Sequence, residues 1–524
     1  MRSALDSLIR QLPFLLTAAL VVVGAGVTVW LMAQQSGGMF LYGSDDFYIN
    51  LGLARRLVDG TAGGEFPSGS TCAGWIVGMA VLIKLTGAQV THILAGVINL
   101  LAALLTLWVL GRYLKTRFSP ARVLVFLLSF IWMTGLVPLI LMGMEHVLQI
   151  LFVTLFGIHL LQCLEGDCRA ERYLSLWVLL GVLCRMEMVF VAAGGALVLL
   201  LMRRYVTAVV VLIVCAIPTL AQGIWQIHQG HSFFANPILI KTVLASDGDY
   251  LRRIALALCD FPDDIQSVLL VGALLAVVLL MRRRQIGTPA RCALLFLLMF
   301  LVCAGLHQML ARNRSLGRYN AYLIGLGALA LAVSVAALRK WTQSITQRGI
   351  VRPIYCLLGA LLLLMTGVGR AAAWYWMPNI SREIYSQMYQ IARLAREVGG
   401  GEFVILNDVG CTLFFTDVPV LDLFGLTSWE TAKLGGGARM ATNDIVRVAK
   451  MRHVRMAVLY PRWFESRLPS SWVAVGEWET PPTFYADQSV IRVYATSAEY
   501  IEVVQTLWKR FARSLPDGVI VRGR

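Results

Sequence analysis

The chain has 524 residues, of which 58% are hydrophobic and 15% are charged, and its mean hydropathy is +0.70. An average soluble domain has about 45–50% apolar and about 25% charged residues, so this composition argues against a soluble globular protein. The formal net charge of +16 would suit nucleic acid only if the basic residues formed one patch. Residues 1–372, however, carry 29 basic against 15 acidic side chains, mostly in short clusters between apolar runs. Such clusters are typical of the cytoplasmic loops of membrane proteins.

Apolar runs recur along the first two thirds of the chain, and their lengths match a bilayer core of about 30 Å. The first run, from Pro13 to Met32, predicts a retained span, because it is too long for a signal peptide and no small-x-small cleavage site precedes the polar stretch. Residues 76–87 are predicted to form a re-entrant or juxtamembrane helix, since a crossing there would invert the side of every later basic cluster. The N-terminus is then cytoplasmic. The eleven predicted spans fall near residues 13–34, 91–110, 122–142, 147–163, 173–184, 188–202, 205–223, 266–281, 292–309, 321–338 and 354–372.

The first outward loop, residues 35–90, contains two adjacent carboxylates, Asp45 and Asp46, at the start of an amphipathic segment. Two acids just outside a bilayer each need water, a cation or a proton to be tolerated, which indicates a functional role. The alternative is a solvated helix N-terminus, where the backbone dipole favours acids. The same loop contains Glu65 in the stretch GEFPSGSTCAGW.

The other outward loops contain further ionisable residues. Glu145 and His146 follow Gly143-Met144, and His146 is interpreted as an interfacial hydrogen-bonding residue in preference to a metal ligand. Two later loops contain Lys241, Arg314 and Arg318, in the stretches HSFFANPILIKT and RNRSLGRYN. Because these loops share one side of the membrane, any chemistry faces outward.

Two short predicted spans meet at Arg185-Met186-Glu187, and this pair of charges has two interpretations. It is either part of a functional cavity or a structural ion pair that closes a short hairpin. The ten cysteines include no CxxC motif, and most lie within apolar spans. The cysteine pattern therefore predicts neither a zinc site nor a disulfide framework.

Beyond the last span, residues 373–524 alternate between helical and strand-like stretches. This alternation predicts a C-terminal extracytoplasmic α/β domain that follows the multi-span domain of residues 1–372. Asp408 and Asp422 follow two of the predicted strands and are interpreted as turn residues.

An ordered set of short motifs resembles the GT-C class of membrane glycosyltransferases. The set comprises SDD followed by LVDG, then GExxxGxTxxxW, then GME at residues 143–145, then RxE at residues 185–187. With the later stretches PILIKT, GRYN and NDVGxxxFFTxxPVLDLFGLT, it covers most of residues 40–430. The order is most similar to the branch that contains the arabinofuranosyltransferases of actinobacterial cell-wall arabinan. The resemblance implies a GT-C fold with about eleven transmembrane helices in a bacterial inner membrane.

The resemblance also implies a reaction. Such enzymes pass a sugar, here arabinofuranose, from a polyprenyl-phosphate donor to a hydroxyl of an extracytoplasmic glycan or protein. The reaction needs a carboxylate base near the acceptor and cations near the leaving phosphate. Asp45 is the candidate base, and Asp46 would orient it or hold a divalent cation. The candidate phosphate ligands are Lys241, Arg318 and Arg314, and the candidate cavity-lining residues are Glu65, Glu145, His146, Arg185 and Glu187.

Other interpretations stay open at this point. The three phosphate candidates could instead extend toward lipid headgroups. A polytopic transporter or flippase for an envelope precursor would also have many spans and membrane-embedded charges, but it usually shows repeated halves and polar residues at mid-span. A non-catalytic envelope scaffold would need no Asp pair.

Overall fold

The N-terminal part of the chain is helical, because apolar segments in lipid satisfy their backbone hydrogen bonds only as helices or closed barrels. The computed structural model describes residues 2–61, 66, 68–241, 264–282, 287–311, 317–346, 351–399, 401–464, 466–481 and 488–523. The helices of this part, in chain order, are α1 (Arg2–Gln35), α2 (Asp45–Val58), α3 (Ala73–Thr86), α4 (Ala88–Leu114), α5 (Pro120–Thr134), α6 (Leu136–Leu141), α7 (His146–Leu164), α8 (Glu171–Cys184), α9 (Met188–Leu201), α10 (Tyr205–His228), α11 (Asn236–Lys241), α12 (Asp264–Met281), α13 (Thr288–Leu310), α14 (Ala321–Thr346) and α15 (Val351–Ile384).

Within the described residues, six helices are long and apolar enough to cross a membrane, and four shorter apolar helices accompany them. All the predicted spans coincide with helices, although the third is broken at Gly135 into α5 and α6. The segment predicted as a re-entrant or juxtamembrane helix is the separate 14-residue helix α3. The protein is therefore a multi-pass helical membrane protein, while the number of crossings stays a prediction.

The turn before α7 brings the segment between α1 and α3 onto the helical part. Gly143 has a φ of +73°, and a Cβ added there would lie 2.8 Å from the rings of both Tyr42 and Phe47. A side chain at this position would therefore be strained and would push the two rings away. Since Phe47 belongs to α2, the glycine allows the Asp45–Asp46 end of that helix to lie against the Met144–Glu145 turn.

The C-terminal part contains one six-stranded sheet. Its strands lie in the order β2 (Val420–Asp422), β1 (Val404–Leu406), β3 (Met456–Leu459), β5 (Val490–Ala495), β4 (Val473–Glu479) and β6 (Ile520–Gly523). The first three neighbours, β2, β1 and β3, are parallel, and the remaining pairs are antiparallel. A π-helical turn (Tyr385–Tyr389) links α15 to this part. Its longer elements are α16 (Gln390–Arg396), β1 (Val404–Leu406), α17 (Gly410–Phe415), β2 (Val420–Asp422), α18 (Trp429–Ala432), α19 (Thr442–Met451), β3 (Met456–Leu459), β4 (Val473–Glu479), β5 (Val490–Ala495), α20 (Ile501–Ala512) and β6 (Ile520–Gly523).

The sheet is not isolated from the helices. One continuous cluster of buried apolar residues contains Tyr48 and Leu53 from α2, Ile76 from α3, and Val404 and Trp478 from the sheet. Burial of apolar area is the main favourable contribution to such packing, at roughly 25 cal/mol per Å². The segment between α1 and α3 is therefore packed between the helical bundle and the sheet, at the junction that contains the candidate site.

The helix α2 is held against α17 by close backbone contacts as well as by apolar packing. A Cβ added at Gly52 would lie 2.6 Å from the Leu413 Cβ atom and 2.8 Å from the Leu413 carbonyl carbon. Arg55 donates a hydrogen bond of 2.7 Å to the Phe414 carbonyl oxygen, and Arg56 donates one of 2.8 Å to the Val418 carbonyl oxygen. The basic side of the amphipathic helix thus binds the C-terminal part.

Candidate active site

A cavity of about 370 Å³ lies at the junction of the helical bundle and the sheet domain. Its volume is within the range of small-molecule sites, and most of its wall is apolar. The lining residues are Asp46, Ile49, Asn50, Gly69, Ser70, Thr71, Cys72, Met144, Arg185, Met186, Glu187, Val189, Phe190, Thr219, Phe234, Pro237, Ile238, Leu310, Ala311, Tyr319 and Leu426.

Segments far apart in the sequence meet around this cavity. Five segments that the predicted topology places outside the membrane contribute to the wall, one residue of each being Asp46, Met144, Glu187, Tyr319 and Leu426. Their convergence at one end of the bundle agrees with a single outward side for these loops.

Asp45 is the first residue of α2 and is buried, with 6% of its surface exposed. Its Oδ2 accepts a hydrogen bond of 3.1 Å from the Gly410 N–H group, and its Oδ1 accepts one of 3.3 Å from the Cys411 N–H group. A Cβ at position 410 would lie 2.3 Å from the Asp45 carbonyl oxygen, so glycine permits this approach. The alternative of a solvated helix N-terminus is therefore wrong for Asp45.

The environment of Asp45 favours its protonated form. Burial and the adjacent charge of Asp46 raise its pKa to about 7, against the opposing effect of the two backbone hydrogen bonds. A carboxyl group whose pKa lies near neutral pH combines a useful fraction of the basic form with a strong affinity for a proton. This property is the one that a general base requires.

Asp46 is on the cavity wall and forms an ion pair with Arg318. The Arg318 guanidinium also donates hydrogen bonds of 2.8 Å to the Ser44 Oγ atom and 3.0 Å to the Tyr319 hydroxyl oxygen. Arg318 is only 3% exposed. The structure therefore brings together two candidate residues that the sequence analysis had given separate roles. Asp46 was expected to orient the base or hold a cation, and Arg318 was expected to bind the phosphate.

Arg185 is the centre of a second buried network. Its Nη1 atom donates a hydrogen bond of 2.6 Å to Glu145 Oε1, and its guanidinium binds both Glu187 carboxylate oxygens, at 2.7 and 3.0 Å. Its guanidinium carbon lies 5.1 Å from the centre of the Tyr319 ring. The structural ion pair is therefore present, and Arg185 and Glu187 also line the cavity.

Glu145 and His146 lie behind the cavity wall and not on it. Glu145 is completely buried against Arg185, and His146 is 1% exposed, with its ring edge-on to Tyr319 at 5.6 Å. The physical reason is that α7 begins at His146 and turns both side chains into the bundle. Their contribution to the site is to support Arg185 and Tyr319.

The remaining sequence-predicted residues cannot be placed. Glu65 and Arg314 lie outside the described residues, and so does the side chain of Lys241. Lys241 is the last residue of α11, a helix that contributes Pro237 and Ile238 to the cavity wall.

Within the described part of the chain, no group of three or more His, Cys, Asp or Glu residues could hold a metal ion. Asp46, which the sequence offered as a possible ligand of a divalent cation, has the Arg318 guanidinium as a cationic partner. An arginine can supply positive charge near a phosphate without a metal.

Two further acids come from the sheet domain. Asp422 is a turn residue as predicted, because its carboxylate accepts hydrogen bonds from the N–H groups of Phe424, Gly425 and Thr427. Asp408 differs, because it precedes the Gly410–Cys411 N–H groups that bind Asp45. Burial and the charges of Asp45 and Asp46 raise the pKa of Asp408 well above its ordinary value. The sequence signal that could have pointed to Asp408 was its position directly after a buried parallel strand. Ligand sites of open α/β sheets lie at the carboxyl ends of such strands.

With this geometry, the fold can be compared with solved structures. ArnT from Cupriavidus metallidurans, solved bound to undecaprenyl phosphate, superposes with a TM-score of 0.50 at 11% sequence identity, and the match covers 92% of this chain and 98% of ArnT. At this identity the likeness concerns the fold alone. The chain therefore has the fold of the GT-C membrane proteins, with a C-terminal sheet domain.

Other comparisons are more distant. Arabinofuranosyltransferase AftD from Mycobacteria gives a TM-score of 0.44 at 16% identity, over 91% of this chain and 41% of AftD. The oligosaccharyltransferase of Archaeoglobus fulgidus gives 0.45 at 10% identity, over 96% of this chain and 74% of that protein. A family model described as "Domain of unknown function (DUF8728)" matches residues 378–498. No curated protein matches the chain in sequence.

Proposed function

We propose that this protein is a membrane glycosyltransferase that takes a sugar from a polyprenyl-phosphate donor and transfers it to a hydroxyl group of an extracytoplasmic glycan or protein. The observation that carries the proposal is the carboxylate pair of the buried Asp45 and the half-buried Asp46 beside a largely apolar cavity in a protein of GT-C fold. The ordered motifs of the sequence favour arabinofuranose as the sugar. The undecaprenyl phosphate bound to ArnT supports a polyprenyl carrier for this chain.

In the proposed reaction, the acceptor oxygen forms a bond to the anomeric carbon while the bond from that carbon to the phosphate oxygen breaks. The electron pair of the broken bond leaves with the polyprenyl phosphate, and Asp45 accepts the proton of the acceptor hydroxyl. Asp46 lines the cavity, and Asp45 lies next to it against the Gly410–Cys411 turn of the sheet domain. The apolar wall suits the prenyl chain of the donor.

The leaving phosphate needs positive charge, and the described cations near the cavity are already shared with acids. Arg185 is paired with Glu145 and Glu187, and Arg318 is paired with Asp46. We assign the donor phosphate to Arg318 together with Lys241 and Arg314, as the sequence motifs imply. The helix α11, which ends at Lys241, contributes to the cavity wall. Asp46 would release part of the Arg318 guanidinium when the phosphate arrives.

The direct test of this function is donor binding and transfer by the purified protein. We expect a non-transferable polyprenyl-phosphonate analogue of arabinofuranose to bind in nanodiscs, and radiolabelled polyprenyl-phosphate-arabinose to be consumed when an envelope glycan extract is added. Parallel donors with other sugars identify the sugar. A folded protein that binds no polyprenyl-phosphate donor, or that moves the lipid across a vesicle membrane without transferring sugar, would contradict the proposal.

The orientation of the protein is proposed from the basic clusters and needs its own test. A cysteine at position 115, between α4 and α5, should resist a membrane-impermeant maleimide in intact cells, whereas one at position 509, on the exposed side of α20, should react. Cys168 is an exposed free cysteine between α7 and α8, so the test is made in a Cys168→Ser background. Labelling at position 115 in intact cells would mean that α3 does cross the membrane.

A further inference from the structure

One face of α2 lines the cavity. Asp46, Ile49 and Asn50 stand at positions i, i+3 and i+4 of this helix, which project from the same side. Asp46 is the partner of Arg318, to which we assign the donor phosphate. Asn50 lies about one turn further along, roughly 6 Å of helix length from Asp46. Since the sugar is bonded directly to the phosphate, this part of the wall lies beside the proposed position of the sugar.

Asn50 is held through one end of its amide. Its side chain is buried, and its Oδ1 atom accepts a hydrogen bond of 3.1 Å from the Ser70 Oγ atom. Ser70 Oγ in turn accepts a hydrogen bond of 3.1 Å from the Cys72 N–H group. The Ser70 carbonyl oxygen accepts another, of 3.0 Å, from Gln222 Nε2 on α10. The Asn50 amide is therefore fixed in one orientation by a segment that joins α2 to α10.

The other end of the amide is left for the cavity. The Asn50 Nδ2 atom has two hydrogens to donate, and no group in the described part of the chain accepts either of them. Because Oδ1 is bound to Ser70, Nδ2 is the free end of a side chain that lines the cavity. A donor that is withdrawn from water without a partner is costly. A ligand atom that accepts a hydrogen bond at this position would therefore bind favourably.

A second polar group without a partner comes from α10. Thr219 lines the same cavity, and its hydroxyl oxygen is buried with no hydrogen-bond partner among the described residues. Helical serines and threonines elsewhere in this chain donate to the carbonyl oxygen four residues earlier, as Thr106 and Ser334 do. Thr219 does not. It precedes Gln222 by three residues on the same face of α10, which places it near the Ser70 segment.

These two groups are neutral, whereas charged side chains of the cavity are bound to one another. Asp46 is paired with Arg318, and Arg185 is paired with Glu187. A phosphate is attracted by positive charge, while amide and hydroxyl groups match the hydroxyl groups of a neutral sugar. The free end of Asn50 therefore suits the sugar of the donor better than its phosphate.

We propose that Asn50 is a specificity-determining residue, which donates a hydrogen bond from Nδ2 to a hydroxyl oxygen of the donor sugar while Ser70 fixes its amide. The proposal rests on the proposed function, which supplies the polyprenyl-phosphate donor, and adds the group that recognises the sugar. Thr219 provides a second neutral group for the same sugar. A site built to bind a hydroxyl group discriminates against sugars that lack it, because its own donor is then left unpaired.

The test compares two ligands in nanodiscs, the non-transferable polyprenyl-phosphonate sugar and polyprenyl phosphate without a sugar. Asn50→Ala should weaken binding of the sugar ligand about tenfold and change binding of polyprenyl phosphate by less than about twofold. Asn50→Leu keeps the volume of the side chain without its donor, so it should show the same selective loss and serves if the alanine variant does not fold. The exposed Asn443 of α19 provides the matched control Asn443→Ala, which should bind both ligands normally. An equal loss for both ligands, or no loss, would overturn the proposal.

Deoxy analogues of the sugar ligand provide a measurement that needs no variant. Removal of one particular hydroxyl should weaken binding to the native protein about tenfold, and the same removal should have little effect in Asn50→Ala, because the two partners are coupled. Native binding that survives the removal of each hydroxyl in turn would contradict the role of Asn50. A native protein that binds neither polyprenyl ligand refutes the proposed function. Normal donor binding and transfer, with no selective loss in the Asn50 variants, refutes only the present inference.

Discussion

Replacing Asp45 by asparagine is expected to lower the rate of sugar transfer by about 10²-fold or more, because the variant keeps the shape of the side chain and removes its ability to accept a proton. The measurement is kcat for transfer from the polyprenyl-phosphate donor, with donor binding measured in parallel. Asp59→Asn is a matched control, since Asp59 directly follows the same helix and is exposed. Near-normal kcat in Asp45→Asn would remove Asp45 from the role of base.

The pH dependence of the transfer rate follows from the raised pKa of Asp45. The pKa of Asp45 is raised from 3.8 to about 7, so the fraction of the basic form, and with it the rate, should increase as the pH rises toward 7 and level off above it. A rising pH changes the folding stability contributed by Asp45 in the opposite direction to the transfer rate. The folded state binds the proton more tightly than the unfolded state, so the stability contributed by Asp45 is lost as the pH rises from about 4 to 7. At pH 8 Asp45→Asn should therefore unfold at a higher temperature than the native protein.

Replacing Arg318 by alanine is expected to weaken donor binding by about 30-fold or more, because truncating one partner of a buried charge pair costs about 2–5 kcal/mol. The donor phosphate would lose one of its three assigned cations, and Asp46 would lose its ion-pair partner. Binding of the non-transferable polyprenyl-phosphonate sugar in nanodiscs measures this effect. Arg318→Lys should recover part of the affinity, because it restores the charge without the planar fork of the guanidinium.

The control for this variant is Arg204→Ala, since Arg204 is half-exposed in a loop that the topology places on the cytoplasmic side. It should bind donor normally. Full donor binding by Arg318→Ala would show that the phosphate is held elsewhere, with Lys241 and Arg314 as the next candidates.

The elements of the fold were predictable to the extent that they depend on local pattern. Spans follow from apolar length, and the strands β1 to β5 follow from short apolar runs bounded by turn residues. The short strand β6 was not predicted, because Ile520–Gly523 is an exposed edge strand with no alternation of buried residues. The ion pair of Arg185 with Glu187 was one of the two interpretations that the sequence allowed, because only Met186 separates the two residues.

What the sequence could not predict depends on contacts between distant segments. Asp45 binds a turn that lies 365 residues away, and nothing local distinguishes Gly410 from an ordinary turn glycine. The amphipathic pattern of α2 does not show what its basic side contacts, and the structure shows that Arg55 and Arg56 both bind backbone carbonyl oxygens near α17. Asp408 was interpreted as a turn residue for the same reason, since its relation to Asp45 exists only after the sheet packs on α2.

The close approach of Gly52 to Leu413 limits how this protein can be recombined. A sheet domain that stands apart from the catalytic residues could be exchanged between related proteins to change the acceptor. Here the exchange would also replace Gly410, whose missing side chain permits the N–H contacts to Asp45, and a partner α2 with any side chain at position 52 would clash with Leu413. A chimera that keeps Asp45 in its native position must therefore inherit α2 and the 407–418 segment from the same parent, so the proposed base and the backbone that binds it are inherited as one unit.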